Sequence, residues 1–267
     1  MAEQQAAGER SEELKFAVEG ATALVTFNRP QALNALTFEM YDRLGEICAS
    51  LHADGPVKAL IITGAGGRAF AAGTDIALFR GFTSSADGLA YEDRMEAMLA
   101  KLERCPVPTI AAIAGVCTGG AAVIAAACDI RIATPTLKFG FPIARTLANC
   151  LSAANIARVA MLTGVGRAMD LLLTTRLIEA DEALAIGLVR ELAATPEALL
   201  ARAHAIAAQI ATQAPLTMRA GKEVARRMRE RLAVEDRDLI ALCYGSADFR
   251  EGVEAFLTKR EPRFEGR

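Results

Sequence analysis

From Cys105 to Cys128 the chain runs for 24 residues without a charged side chain, and this stretch restricts the possible folds more than any other. Its length matches a bilayer span. Against a span, Pro106 and Pro108 stand at its start, Gly119–Gly120 interrupts its middle, and alanine dominates its second half. Read by those breaks, it is a buried strand over Thr109–Ala114, a glycine turn, and a buried helix over about Ala121–Cys128. A strand and a helix without polar faces need cover on every side, so a layered globular fold follows and no membrane span.

The neighbouring segments fit that frame. Leu24–Asn28 reads as a strand ending in the Arg29–Pro30 turn, and Val57–Gly64 as a second strand. Between them Thr37–Leu51 reads as a helix capped by Thr37, with Phe38, Tyr41, Leu44 and Ile47 on one face. A further helix is expected to start near Asp75, residues 90–104 read as helical, and Ile130–Ala133 and Leu137–Phe139 read as short strands. After residue 145 the pattern is helical almost throughout: Ala153–Thr163, Ala168–Thr174, Ala180–Ile186, Glu197–Gln213, Met218–Leu232 and Glu235–Tyr244. Repeated strand–turn–helix units imply a mostly parallel α/β sheet covered by helices. Residues 1–13 are polar and aperiodic and read as a disordered tail, 14–200 as the core, and 201–267 as a helical region that must pack on the sheet layer, on a sister subunit, or on both.

Composition removes several functions. The 267 residues carry 30 basic and 32 acidic side chains, a net charge of −2, so no global field favours nucleic acid or an anionic membrane. The basic helix over Met218–Leu232 interleaves Glu223 and Glu230 with its arginines and reads as a solvated or subunit-facing surface rather than an RNA site. The two histidines, His52 and His204, leave no histidine metal cage, and neither lies near a serine motif. Six cysteines without a CxxC pair, and no secretory leader pattern, suggest a reduced, cytoplasmic setting.

Two glycine turns share one design. Phe70-Ala71-Ala72-Gly73-Thr74-Asp75 and Gly115-Val116-Cys117-Thr118-Gly119-Gly120 each lead from a strand through small residues to a helix start. Small side chains let a ligand approach the backbone, and the first amides of a helix have no internal partner. Two such N–H groups converging on one carbonyl oxygen would stabilise developing negative charge as an oxyanion hole. The same turns also serve plain close packing.

The motifs NRPQALNAL (Asn28–Leu36), FAAGTDI (Phe70–Ile76), IAAIAGVCTGGAAVIAAACDI (Ile110–Ile130), KFGFP (Lys138–Pro142) and ADEALAIGLV (Ala180–Val189), in this order, resemble the enoyl-CoA hydratase/isomerase superfamily, the crotonases. The resemblance runs from about Leu14 to about Phe264. It implies a crotonase-like spiral of ββα units with a C-terminal helical trimerisation region, assembled as a homotrimer or a dimer of trimers. It implies an acyl-CoA thioester substrate, no further cofactor and no metal, with an enolate held by the amides of Ala72 and Gly120. By position, Gln31, Ala32 and Ala71 would line the CoA, and Asp75 would cap the helix behind the first amide. Phe256 and Lys259 match a C-terminal motif that reaches CoA in some members, although a solvated lysine reads equally well.

The chain departs from the pattern at the acid/base. Where hydratases carry two glutamates, it has Val123 and Ile143, which can neither orient water nor move a proton. Ordinary hydration of a 2-enoyl-CoA is therefore not expected. Other polar side chains near this point are Arg145, Asn149, Cys150 and Ser152, with Cys117 and Thr118 on the facing turn. One extra residue in this loop would set Leu151 or Ser152 near a place where some isomerases hold an aspartate. Cys150 and Ser152 are carried forward as acid/base candidates. The competing reading is a non-catalytic acyl-CoA binder or assembly subunit that kept the fold and lost the chemistry.

Overall fold

The computed structural model describes residues 13–232 and 234–267. All but one residue of the expected disordered tail lie outside this range. The exception, Glu13, is held in place: its carbonyl accepts the Asn28 N–H at 2.7 Å and its carboxylate pairs with Arg29 at 3.1 Å.

Two sheets are wound together. The larger has five strands in the order β1 (Leu14–Glu19), β2 (Thr22–Phe27), β3 (Ala59–Gly64), β5 (Thr109–Ile113) and β7 (Ile130–Ala133). The smaller holds β4 (Ala69–Ala71), β6 (Val116–Thr118), β8 (Lys138–Gly140) and β9 (Leu177–Glu179). Pairing is parallel except for the β1–β2 hairpin and the β8–β9 edge. Each turn of the spiral gives one strand to each sheet and then a helix. Thus β3 and β4 precede α2 (Ser85–Glu103), β5 and β6 precede α3 (Gly120–Ala127), and β7 and β8 precede α4 (Ile143–Thr146). The expected ββα spiral is what forms.

The apolar strands are explained by cover on both faces. Leu60, Ile62, Ala111 and Ile113 point into the main core with α1 (Phe38–Ser50) and α3. Ala59, Ile61, Ile110, Ala112 and Ile132 point the other way, onto Leu199, Ala203, Ile206, Ala207 and Ile210 of a helix over Pro196–Ala211. Those five residues form one stripe at helical spacing. The boundary expected at residue 200 therefore falls inside a helix that completes the core.

Five more helices follow: α5 (Ala153–Thr163), α6 (Val165–Thr174), α7 (Ala180–Ala185), α8 (Pro196–Ala211) and α9 (Pro215–Glu230), of which α8 lies on the larger sheet. Two basic residues of α9 turn back onto the protein, Lys222 pairing with Asp129 and Arg229 with Glu103, while Arg226 pairs within the helix with Glu223 and Glu230. Then follow α10 (Arg237–Gly245) and α11 (Ala247–Leu257), the last of which the sequence pattern did not reveal. Among the described residues no helix is long and apolar enough to cross a membrane. The uncharged stretch is a five-residue strand, a three-residue strand and an eight-residue helix, all largely buried.

Candidate active site

The loop after β4 is positioned by the loop after β2. Asn34, fully buried, donates through Nδ2 to the carbonyls of Ala65 (3.0 Å) and Ala69 (2.8 Å) and accepts the Arg29 N–H at 2.9 Å. That clamp sets residues 33–36 alongside 72–75. The Leu36 N–H donates to the Gly73 carbonyl at 2.8 Å, and the Asp75 N–H to the Leu36 carbonyl at 2.9 Å.

This register corrects one expectation. The Ala72 N–H donates to the Leu33 carbonyl at 3.0 Å and is not open to a ligand. Successive peptides of extended chain face opposite ways, so the bonded Asp75 N–H turns the Thr74 N–H outward. Among the described residues no protein acceptor takes the Thr74 N–H. The side chain below it is held firmly: Thr74 Oγ1 lies 2.8 Å from the Tyr41 hydroxyl and 2.7 Å from the Tyr91 hydroxyl.

The second turn delivers Gly120. Gly119 adopts φ +55°, a left-handed conformation suited to glycine, and so turns β6 into α3. Its N–H donates to the Gly140 carbonyl at 3.0 Å, and its carbonyl accepts the Val123 N–H at 3.2 Å. Gly120 is the first helical residue, and its N–H has no protein acceptor among the described residues. A Cβ on Gly120 would stand 2.4 Å from the Tyr41 hydroxyl and 3.3 Å from Thr74 Oγ1. Gly120 and Thr74 are therefore close neighbours across the two turns.

Both residues line a cavity of about 240 Å³ whose wall also includes Met95, Leu99, Phe79 and Phe256. Val123 and Ile143 are also on the wall, so the two positions where the resemblance places glutamates face the cavity as hydrocarbon. Of the polar candidates, Asn149, Cys150 and Thr118 line it. Ser152 does not: its hydroxyl caps α5 by accepting the Asn155 N–H at 3.4 Å, which removes it as an acid/base. Cys150 is a poor proton carrier too, because its contact with Cys243 and its burial both push its thiol upward. Cys117 is sealed in the core, and burial pushes its thiol well above the ordinary value.

Other predicted contacts lie off the cavity. Asp75 caps a short 3-10 helix (Ile76–Gly81) through the Ala77 N–H at 3.1 Å, as expected, and pairs with Arg29 at 3.0 Å. Ala71 has no exposed surface, so its side chain cannot line a ligand. Gln31 and Ala32 form a one-turn 3-10 helix outside the wall, Gln31 exposed and Ala32 half-buried. Lys259 is exposed three residues beyond Phe256 and does not reach the wall. Arg145 is likewise exposed and off the wall.

The side chain that sequence reading missed is Glu92, the one acidic group on the wall among the described residues. It is only 8% exposed. The Tyr244 hydroxyl donates to its Oε1 at 2.7 Å, and Asn149 Nδ2 donates to the Tyr244 hydroxyl at 3.1 Å. Burial pushes the Glu92 carboxyl up to about 7; the Tyr244 bond opposes this, while Asp236, Glu96 and Asp93 add to it. A cue was available: Glu92 shares the stripe of Met95 and Leu99 on α2, an acid on an apolar face. Gly88, one turn earlier, lets Tyr244 come close, for a Cβ there would stand 2.3 Å from the Tyr244 Cβ.

Among the described residues no group of three or more His, Cys, Asp or Glu could hold a metal ion. The family model described as enoyl-CoA hydratase/isomerase matches residues 17–267. The short-chain-enoyl-CoA hydratase of Clostridium acetobutylicum is 34% identical over 248 residues, covering 91% of this chain and 94% of its own. The crotonyl-CoA hydratase of Syntrophomonas wolfei is 34% identical over 246 residues, covering 91% and 94%. Among solved structures, methylmalonyl-CoA decarboxylase in complex with 2-nitronate-propionyl-CoA superposes with a TM-score of 0.85 at 26% identity, covering 96% of this chain and 99% of that one.

Proposed function

The chain belongs to the enoyl-CoA hydratase/isomerase family, and from that premise we propose that it processes an acyl-CoA thioester by holding its enolate oxygen between the Thr74 and Gly120 amides. The observation that carries this reading is the pair of residues, Thr74 and Gly120, whose N–H groups have no protein acceptor among the described residues and which line one mostly apolar cavity. Such donors act on an anion in a low-dielectric site, where one of them is worth about 3–4 kcal/mol in the transition state. The names of the relatives support a CoA thioester as the substrate class. CoA is then part of the substrate, and no separate cofactor is invoked.

The reaction is not the addition of water by two carboxylates. Val123 and Ile143 occupy that part of the wall and can neither bind nor polarise a water molecule. A panel of C4 to C16 2-enoyl-, 3-enoyl- and aromatic acyl-CoA thioesters tests both statements. Turnover is expected on at least one class and is lost in Gly120→Pro, which deletes one N–H. Crotonyl-CoA hydration is expected to stay well below a kcat of about 10 per second. Tight binding with no turnover of any thioester would instead identify a binding homologue.

A further inference from the structure

We propose that Glu92 is the catalytic proton carrier of this site and that the class of substrate it serves is a 3-enoyl-CoA thioester, isomerised to the conjugated 2-enoyl form. The proposal rests on the thioester reading above and adds to it the group and the reaction.

Glu92 lines the same cavity as Thr74 and Gly120, so a thioester whose oxygen is held there shares that cavity with this carboxyl. The donors around it run in one direction. Asn149 donates to Tyr244, and Tyr244 donates to Oε1, which fixes the carboxylate in place. Oε2 has no protein partner among the described residues. The titratable groups about it are Tyr244 and Asp236 from the α10 region, Cys150 across the cavity, Tyr41 from α1, and Tyr91, Asp93 and Glu96 on its own helix. None is a cation. A carboxyl in such surroundings is a stronger base than one in water, and a base near neutrality suits both taking and returning a proton.

A single carboxyl selects the reaction. The carboxylate takes a proton from C2; the electron pair of that C–H bond joins C1 and C2, and charge moves to the oxygen between the amides. The resulting dienolate then takes the same proton at C4, re-forming the thioester carbonyl and leaving the double bond between C2 and C3. No water, oxidant or second acid is consumed, so the hydrocarbon walls at Val123 and Ile143 suit this step.

The test uses the full-length protein and trans-3-hexenoyl-CoA, followed by the ultraviolet absorbance of the conjugated product. Glu92→Gln is expected to lower kcat by about 10²–10⁴-fold with KM little changed. Glu92→Asp is expected to restore part of the loss. In wild type the pH profile of kcat/KM should show a rising limb centred near pH 7, absent in Glu92→Gln. Tyr244→Phe, which removes the donor that favours the ionised form, should move that limb to higher pH. The proposal is overturned if Glu92→Gln keeps activity within about threefold while Gly120→Pro abolishes it, an outcome that leaves the thioester reading standing. It is also overturned if wild type binds 3-hexenoyl-CoA without isomerising it. If no thioester of the panel is bound or turned over, the thioester reading itself fails.

Discussion

Glu92 ties function to stability. Its carboxyl moves from an ordinary 4.5 to about 7 on folding, so the native state binds the proton more tightly than the unfolded chain. Its contribution is then fully present below pH 4.5 and is lost as pH rises through 7. The difference corresponds to about 3 kcal/mol. Glu92→Gln, which still accepts the Tyr244 hydroxyl, should therefore gain stability relative to wild type between pH 5 and pH 8. Denaturant unfolding at the two pH values measures this directly, and a gap that stays constant or reverses would refute it. The same residue marks a limit of the sequence. Its place on an apolar stripe was legible, but Tyr244 stands 152 positions away, and only the tertiary fold brings the two together. The oxyanion loop shows a similar limit: the glycine turn was legible, yet whether Ala72 or Thr74 keeps an open N–H depends on the Leu33 carbonyl from another loop.

At the level of elements, α2 and α10 meet where Gly88 offers no side chain. Helix propensity alone predicts that Gly88→Ala gains about 0.5–1 kcal/mol. The packing predicts the opposite, because the new methyl would fall within 2.3 Å of the Tyr244 Cβ and Cγ, both in a buried residue. A destabilisation of about 1–3 kcal/mol is expected, together with loss of activity as Tyr244 is driven from Glu92. Thermal unfolding and the isomerase assay read the two effects, and a stabilised, active variant would show that the helices are free to part. Most of the other elements were legible because each writes its own pattern. Ala153–Thr163 matched at both ends, and Thr37 caps α1 through the Met40 N–H at 3.3 Å as its sequence indicates. The short strands β6 and β9 have three residues each and too little length for a period to register.

Among the described residues, several large apolar side chains on and beside α9 are left uncovered by the chain's own packing. Leu216, Val224, Met228 and Leu232 in and just after α9, with Leu239 and Leu242 of α10, are each more than half exposed. A single chain gains nothing from such a face. The family resemblance implies a trimer or a dimer of trimers, and this apolar face is the surface such an assembly would cover. Light scattering is expected to give three or six times the 28.3 kDa of one chain, and Met228→Glu with Val224→Glu to lower that number. A monomer at micromolar concentration would contradict it.

The helices over Arg237–Gly245 and Ala247–Leu257 bring Tyr244 onto Glu92 and Phe256 to the cavity wall. Both sheets are complete by residue 179, whereas the phenol that holds the Glu92 carboxyl lies 152 positions beyond Glu92 itself. A shortened variant ending before residue 237 is therefore expected to lose the tuning contact on Glu92 and one side of the cavity together.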